Sequence, residues 1–549
     1  MAMSVPKVGF SRMLKDGARR FKGTEEAVHR NIEACGELAA QVKSAFGPNG
    51  MNKMVINHLQ KLFVTKDAST IMSELEVQHP AAKMIVMGCQ MQAKEVGDGT
   101  NSVIMLASSL LEHAAELLRM GLKATEIAEG YEAAAEKAAQ LLPDLVVGKV
   151  DDLREGEKVL EAVRTAIAAK QYGHEDFLAE LVVKACRMVL PTRSDNFNVD
   201  NVRVTKILGS GVTASSVMNG MVFKRSQEGS VKTVKDAKIA VFTCAFDVTQ
   251  TETKGTVLLN TASQLKDFSK GEESEVEKQV ASIAKAGVNC VVSGGKFGDL
   301  YLHYLNAAGI MAVRVMSKFD LRRLCRTLGA TAQTKIAAPD ADCMGRAVEV
   351  SVDEIGETEV VVFKAGEAVG RIATVIIRGS SENLMDDMER AINAGVNTFK
   401  AITKDNRLLA GAGAVEIELA RLITAFGEKS PGLEQYAIRN FALALEALPK
   451  QLADNAGAKS TEVLSQLYAA HEGGAANAGF DVLNGGVINA VEAKILDLFA
   501  LKSFAIKLAS NAACTVLKVD EIIMAKQAGG GPKPRGPKAQ DEDDDMGMA

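Results

Sequence analysis

A glycine-rich segment, Gly97-Asp98-Gly99-Thr100-Asn101-Ser102, directly precedes a stretch whose apolar spacing predicts a helix. A helix N-terminus offers unpaired backbone N–H groups and the positive end of the helix dipole, which suit a phosphate. Glycines let the backbone approach the ligand, hydroxyls donate to phosphate oxygens, and Asp98 can hold Mg²⁺. The alternative is an ordinary helix cap, since nothing here matches a Walker A loop.

Three further loops suit the same chemistry. Residues 46–50 (FGPNG) predict a turn after a helix, and residues 64–70 (VTKDAST) follow shortly afterwards. A helix C-cap turn and a hairpin return would also explain these two loops. Residues 411–414 (GAGA) open another predicted helix, and Asp497 is a further polar marker in AKILD. Each signal is weak alone, but their order and spacing favour a phosphate or nucleotide site.

Helices at both ends of the chain must position these loops. Residues 1 to about 150 and about 405 to 525 have helical apolar spacing, for example between Ile104 and Leu118. The middle alternates β-branched runs with helical segments and glycines, which predicts an α/β layer. Helical ends around an α/β centre suggest one domain built from both termini, with the centre inserted into it.

The composition argues against several classes of protein. Sixty-four Lys and Arg against 69 Asp and Glu give a net charge of −5, so the basic excess of a nucleic-acid binder is missing. No apolar run reaches the roughly 18 residues of a membrane helix, and the N-terminus lacks the apolar region of a signal peptide. Eight scattered cysteines without a CxxC pair predict reduced thiols rather than disulfides or a zinc site.

Two segments differ from the rest of the chain. Residues 249–278 are polar and charge-rich, which is typical of a solvated loop or an exposed helix. The tail from Gln527 combines glycine, proline and runs of like charge, so residues 527–549 are predicted to be disordered.

The ordered series of motifs resembles the group II chaperonins. The motifs are GPNG, TKDAST, HPAAKM at residues 79–84, EVGDGTNS, IIRG at residues 376–379 and GAGAVEIELA. The resemblance covers residues 17–526. Four longer stretches, at residues 197–211, 317–331, 431–438 and 519–526, resemble one particular subunit type of the eukaryotic cytosolic chaperonin.

The resemblance implies a multidomain α/β chaperonin fold. Its parts would be a mostly helical equatorial ATP-binding domain, a small α/β intermediate hinge domain and an α/β apical substrate-binding domain with a helical lid protrusion. The implied ranges are 1–150 and 405–526 for the equatorial domain, 151–218 and 371–404 for the intermediate domain, and 219–370 for the apical domain, with the protrusion near 249–278.

The resemblance also implies a site for ATP or ADP with Mg²⁺. Asp67 would be catalytic, Asp98 would bind the metal, and Lys170 would sense the terminal phosphate, although Lys170 is equally explained as a surface lysine. The remaining implied nucleotide-binding residues are Phe46, Gly47, Pro48, Lys66, Gly99, Thr100, Asn101, Ser102, Gly411 and Asp497.

The chain departs from the family pattern at a catalytic position. The family uses a second carboxylate in an E-R-x-x-x-D helix, seventeen residues before Gly411, and Ala394 occupies that position here. Losing general-base assistance typically costs about 10²–10⁴-fold in rate. The nearby Asp386 and Asp387 lie about 10 Å along the helix and are not expected to substitute. Lys66 also stands where Asn is usual, and AGAG replaces PGGG. We therefore expect Mg·ATP binding with slow or absent hydrolysis.

The implied function is that of one subunit of an ATP-driven, hetero-oligomeric double ring in the cytoplasm. Such a ring binds, encapsulates and folds non-native proteins, with actin and tubulin as expected clients. Its partners would be the other ring subunits and these clients, and neither nucleic acid nor membrane. The alternative is a structural or regulatory ring member that holds nucleotide without turnover, which Ala394 favours. A soluble phosphotransferase lacks a convincing acceptor site.

Overall fold

The computed structural model describes residues 19–21, 24–154, 156–191, 193–247, 261–366 and 372–524. The helices are α1 Thr24–Lys43, α2 Ala68–Glu74, α3 Pro80–Glu95, α4 Thr100–Arg119, α5 Ala124–Leu141, α6 Glu157–Ala168, α7 Glu175–Val189, α8 Ala262–Lys285, α9 Asp299–Ala307, α10 Lys318–Leu328, α11 Glu382–Lys404, α12 Ala414–Lys429, α13 Glu434–Leu445, α14 Ala447–Asn455, α15 Ser460–Glu472 and α16 Phe499–Leu517.

The strands are β1 Arg19–Phe21, β2 Lys53–Ile56, β3 Leu62–Thr65, β4 Val146–Lys149, β5 Val202–Leu208, β6 Ser216–Phe223, β7 Thr233–Phe242, β8 Cys290–Ser293, β9 Met311–Arg314, β10 Gly345–Ile355, β11 Thr358–Lys364, β12 Ala373–Gly379, β13 Arg407–Ala410, β14 Ala478–Phe480, β15 Val487–Asn489, β16 Leu496–Leu498 and β17 Ile522–Met524. The predicted disordered tail lies outside the described residues. So does the first part of the predicted protrusion, whose remainder forms the start of α8.

One hydrophobic core combines residues from both ends of the chain. Its members come from residues 28–142 and 409–517, because α16 packs against α3, α4 and α5, and α13 packs against α4 and α5. In α4 the apolar residues Ile104, Leu110 and Leu111 are fully buried. Each stabilises the fold by about 1.5–3 kcal/mol relative to an exposed position. Both ends of the chain therefore contribute side chains to one core.

A second core lies beside the first and consists mainly of α6, α7 and α11. It takes residues from 96–202, from 373–408 and from the segment around β16. The helix α11 packs against both α6 and α7 and also reaches β3, the strand that leads into the VTKDAST loop. A helix from the second core therefore lies against a loop of the first.

An eight-stranded sheet runs through the middle of the chain in the order β5-β12-β6-β11-β10-β7-β8-β9. Strands β7, β8 and β9 are parallel and their crossovers contain helices, which is an arrangement of the predicted α/β layer type. Strand β6 pairs with β12 through residues 216–219 and with β11 through residues 220–223. The domain boundary predicted after residue 218 therefore falls inside one strand, and the domain ranges stay predictions.

Two further observations concern the cysteines and the length and polarity of the helices. All eight cysteines are free, and Cys35, Cys89, Cys186, Cys290 and Cys514 are buried. Among the described helices, none combines the length and apolar character that crossing a membrane requires.

Candidate functional site

Loops from both ends of the chain surround a cavity of about 380 Å³. Its volume is in the range of small-molecule sites. Gly411 is the one predicted site residue that does not line the cavity; Ala412 and Gly413 line it instead. The twelve others that do line it are Phe46, Gly47, Pro48, Lys66, Asp67, Asp98, Gly99, Thr100, Asn101, Ser102, Lys170 and Asp497.

The N-terminus of α4 faces this cavity without a side-chain cap. Gly99 is the N-cap residue and has a φ of 73°, a left-handed conformation that glycine adopts at no steric cost. The first hydrogen bond at this end joins the Val103 N–H to the Gly99 carbonyl at 3.4 Å. The N–H groups of residues 100–102 therefore have no partner within the helix, which is the arrangement that binds anions.

Lys170 forms ion pairs with two carboxylates of the site, those of Asp67 and Asp98. The Lys170 Nζ lies 3.2 Å from Asp67 Oδ1 and 3.9 Å from Asp98 Oδ1, and all three side chains are less than 15% exposed. Burial disfavours the charge on Lys170, but the two carboxylates outweigh this and raise its pKa. Lys170 is therefore a charged member of the site rather than a surface lysine.

Asp67 is held in its charged form by several donors. Its Oδ2 accepts hydrogen bonds from the Thr70 N–H at 3.1 Å and the Thr70 hydroxyl at 2.8 Å, which caps α2. Its Oδ1 accepts from Lys170 and from the Thr100 hydroxyl at 3.3 Å. Burial opposes ionisation, but Lys170 and Thr70 outweigh it and lower the pKa of Asp67 to about 2. This carboxylate is a good hydrogen-bond acceptor and a weak base.

Asp98 has the opposite electrostatic balance. Burial raises the pKa of Asp98 above its usual value, even though Lys170 and the Gly99 N–H favour the charged form. A further positive charge in the cavity would therefore stabilise the ionised carboxylate. Within the described residues no cluster of three metal-ligating side chains occurs.

The Asn101 side chain joins three of the cavity loops. Its Oδ1 accepts a hydrogen bond from the Ala68 N–H at 2.9 Å, and its Nδ2 donates to the carbonyls of Ala45 and Lys66 at 3.4 and 3.3 Å. The amide group is thus engaged with protein backbone. Its role in this structure is to fix the loops, while its own N–H remains free for a ligand.

At the other end of the cavity Asp497 belongs to a buried ion-pair network. Lys502 Nζ lies 3.0 Å from Asp497 Oδ2 and also pairs with Glu416 Oε1. Burial disfavours its charge, but Asp497 and Glu416 outweigh this and raise the pKa of Lys502. Sequence reasoning missed Lys502 and Glu416. A sequence signal for this pair does exist, because Glu416 and Lys502 are charged residues in largely apolar helices. A charged residue that is buried in this way needs a partner of opposite charge.

Lys66 brings a cation to the edge of the cavity. Its Nζ donates to the Pro48 carbonyl at 3.1 Å, which joins two of the predicted phosphate loops. Burial lowers the pKa of Lys66, and Asp387 partly offsets this effect.

Ala394 is buried on α11, the helix that contacts the loops carrying Asp67 and Asp98 at two other positions. Seven residues before it on the same helix face, Asp387 contacts Thr65. One turn after Ala394, Asn397 packs closely against Gly97, since a Cβ added to Gly97 would lie only 2.3 Å from Asn397 Cβ. Position 394 lies along the helix between these two contacts, and its methyl group is buried without lining the cavity.

The two acidic residues upstream of Ala394 have different surroundings. Asp386 pairs with Lys206 at 2.5 Å, away from the cavity. Asp387 is buried and accepts a hydrogen bond from Thr65 Oγ1 at 3.2 Å, but it does not line the cavity. Neither residue occupies the place of the missing carboxylate.

A family comparison explains this arrangement of loops. The profile of the TCP-1/cpn60 chaperonins matches residues 38–527, which is most of the chain. The chain belongs to the TCP-1/cpn60 chaperonin family. The predicted family and its multidomain α/β fold are thereby confirmed.

Individual chaperonin relatives match along their whole length. The "T-complex protein 1 subunit theta" of Caenorhabditis elegans is 61% identical over 549 residues, covering 100% of both chains. The protein of the same name from Homo sapiens is 57% identical over 546 residues, covering 99% of this chain and 100% of its own. Theta is the subunit type that the four longer stretches predicted, and that prediction is confirmed. The roles of individual site residues stay predictions.

Proposed function

We propose that this chain is one subunit of an ATP-dependent, hetero-oligomeric double-ring chaperonin that binds, encapsulates and folds non-native proteins. The cavity carries the proposal: motifs from both ends of a chain that resembles theta subunits throughout converge on one nucleotide-sized space. By resemblance, actin and tubulin are expected among the clients.

The residues of the cavity fit ATP with Mg²⁺. Magnesium in nucleotide sites uses one or two carboxylates plus phosphate oxygens and water, so a cluster of three protein ligands is not needed. Asp98, a buried carboxylate that lines the cavity and whose pKa is raised by burial, would hold the ion. When bound, Mg²⁺ would supply charge neutralisation to the β- and γ-phosphates.

Each end of the cavity matches one part of the nucleotide. The uncapped N–H groups of residues 100–102 and the hydroxyls of Thr100 and Ser102 would bind phosphate oxygens. Asp497, held in place by Lys502, would accept hydrogen bonds from the ribose hydroxyls. Lys170, whose Nζ lies 3.2 Å from Asp67 Oδ1, would contact the terminal phosphate in exchange for part of its contact with Asp67.

Hydrolysis by this subunit would be slow. Asp67 can orient an attacking water through its Oδ1, but a pKa of about 2 leaves it little tendency to take the proton at neutral pH. The second carboxylate is absent because residue 394 is alanine. These two observations favour a second candidate function, a ring subunit that holds nucleotide while other subunits hydrolyse theirs.

The partners in this proposal are the other subunits of the ring and non-native clients in the cytoplasm. Nucleotide would act by binding the open and closed states of the ring with different affinity, which shifts their populations. Neither nucleic acid nor a membrane is among the proposed partners.

The proposal can be tested on the full-length chain in its native assembly. The chain, tagged and expressed in its source cells, should co-purify with other chaperonin subunits as a ring, and the ring should refold denatured actin only with Mg·ATP. An Asp98→Asn variant should assemble but lose Mg·ATP from this pocket, whereas the exposed Asp299→Asn control should retain it. Recovery of the chain only as a monomer, without chaperonin subunits, would refute the proposal.

A further inference from the structure

The hydroxyl of Thr65 connects helix α11 to the loop that carries Asp67. Thr65 Oγ1 donates to Asp387 Oδ1 at 3.2 Å and accepts from the Asp67 N–H at 3.1 Å. Thr65 is fully buried and Asp387 is 6% exposed. Two consecutive hydrogen bonds therefore run from a carboxylate on the helix to the backbone of the proposed catalytic residue.

A second contact strengthens this connection. Arg390, one turn further along α11, donates from Nη1 to the Val64 carbonyl at 3.4 Å and lies 3.7 Å from Asp387 Oδ1. The helix thus holds two successive residues at the end of β3. Because Arg390 also partly neutralises Asp387, the buried carboxylate keeps a partner on each side.

Two other acidic residues of α11, next to Asp387 and Arg390, connect the helix to the eight-stranded sheet. Asp386 and Glu389 both pair with Lys206 of β5, at 2.5 and 2.7 Å. The same helix turn therefore contacts the Asp67 loop on one side and the eight-stranded sheet on the other. A shift of the loop by bound nucleotide would reach the sheet through this turn.

We propose that Asp387 is a positioning residue that couples the Asp67 loop to helix α11 through the Thr65 hydroxyl. Asp387 does not line the cavity, so it acts on a ligand only through Thr65 and Asp67. The coupling rests on the proposed nucleotide site, since it describes how occupation of that site is transmitted to the helix. The hydrogen bonds from Asp387 through Thr65 to the Asp67 N–H do not involve the ligand and can be tested separately.

Hydrogen exchange on the assembled ring, resolved to single amides by fragmentation, tests both parts. The variants are Thr65→Val, which keeps the shape but removes the hydroxyl, Thr65→Ser, which keeps the hydroxyl, and Asp387→Asn. Asp386→Asn is the matched control, because it removes an adjacent charge that contacts Lys206 instead. Each ring is measured with and without Mg·ATP.

Without nucleotide, the Asp67 amide should exchange about tenfold faster in Thr65→Val and measurably faster in Asp387→Asn, with Thr65→Ser and Asp386→Asn close to the parent. With Mg·ATP, the parent should slow exchange both at residues 66–68 and at residues 385–391 of α11. Thr65→Val and Asp387→Asn should keep the first response and lose the second.

Two results would overturn the inference. One is an α11 response to Mg·ATP that persists in both Thr65→Val and Asp387→Asn; the other is its equal loss in Asp386→Asn. If Mg·ATP slows no amide at residues 66–68 even in the parent, the proposed nucleotide site fails instead. The exchange rate of the Asp67 amide without nucleotide then decides whether the connection exists.

Discussion

Restoring the second carboxylate should convert this subunit into a faster ATPase. In the Ala394→Asp variant the new side chain would project between the loops that carry Asp67 and Asp98, because its helix neighbours Asp387 and Asn397 flank those two loops. The site would then have an acceptor for the proton of the attacking water.

The expected increase in the rate of ATP hydrolysis can be worked out from the general-base assistance that the parent lacks. General-base assistance is worth about 10²–10⁴-fold, which is about 3–5 kcal/mol of activation free energy. Asp67 supplies little of it, because its pKa of about 2 lies far below neutral pH. Repulsion from Asp98 would raise the pKa of the new carboxylate, which improves it as a base, while Lys170 limits the increase. We therefore expect a gain of at least about 10²-fold.

The assay is a single-turnover measurement of phosphate release, with full-length protein in excess over radiolabelled Mg·ATP and with binding measured in the same samples. Asn393→Asp adds the same charge one residue away on the exposed side of α11, and Ala394→Asn adds similar volume without charge. Both controls should stay at the parent rate. A rate for Ala394→Asp within about threefold of the parent, with ATP bound, would refute the argument from the missing carboxylate.

Three further predictions follow from buried charges and backbone geometry. Lys502→Met leaves the carboxylates of Glu416 and Asp497 without their cation. The amides of α12 and α16 should therefore lose about 3–5 kcal/mol of protection against hydrogen exchange, and a loss below about 1 kcal/mol would contradict the ion-pair network. Burial raises the pKa of Glu418, but Arg421 and His471 outweigh it and lower the pKa below the ordinary 4.5. The resulting stability is present above pH 4.5 and is lost as the pH falls below it. In Glu418→Gln the melting temperature should therefore decrease less steeply as the pH falls, whereas the exposed control Glu462→Gln should follow the parent. Gly97 has a φ of 82°, and a Cβ added there would lie 2.3 Å from Asn397 Cβ, so Gly97→Ala should be both strained and clashing. Gly121 also has a positive φ but has open space around it, so Gly97→Ala should lower the melting temperature more than Gly121→Ala does. Equal decreases in melting temperature would exclude the clash.

The loops of the site could be predicted from the sequence because each carries a local signal. Glycines before an apolar helical period indicate a helix N-terminus, and the long helix does begin at Thr100, directly after Gly99. The order of the motifs, through the family resemblance, indicated that they meet. In the structure these motifs line one cavity, except that Gly411 does not line it and its neighbours Ala412 and Gly413 do. The roles of the residues stay predictions.

Long-range side-chain partners could not be predicted in this way. Thr65 and Asp387 are 322 residues apart, and no local pattern shows which of the two adjacent aspartates, Asp386 or Asp387, contacts Thr65. In the same way, Lys502 and Glu416 are 86 residues apart, and only folding brings them to one network. The course of β6 across a predicted domain boundary is equally non-local, because its two halves pair with different strands.

The most direct test of the account is a high-resolution electron-microscopy map of the assembled ring after incubation with Mg·ATP, interpreted at this subunit's cavity. We predict density for an intact γ-phosphate here, beside Lys170 and Asp98, while neighbouring subunits contain ADP. ADP in this cavity would show that Asp67 suffices for hydrolysis and would contradict the role assigned to Ala394. An empty cavity in a formed ring would contradict nucleotide binding itself.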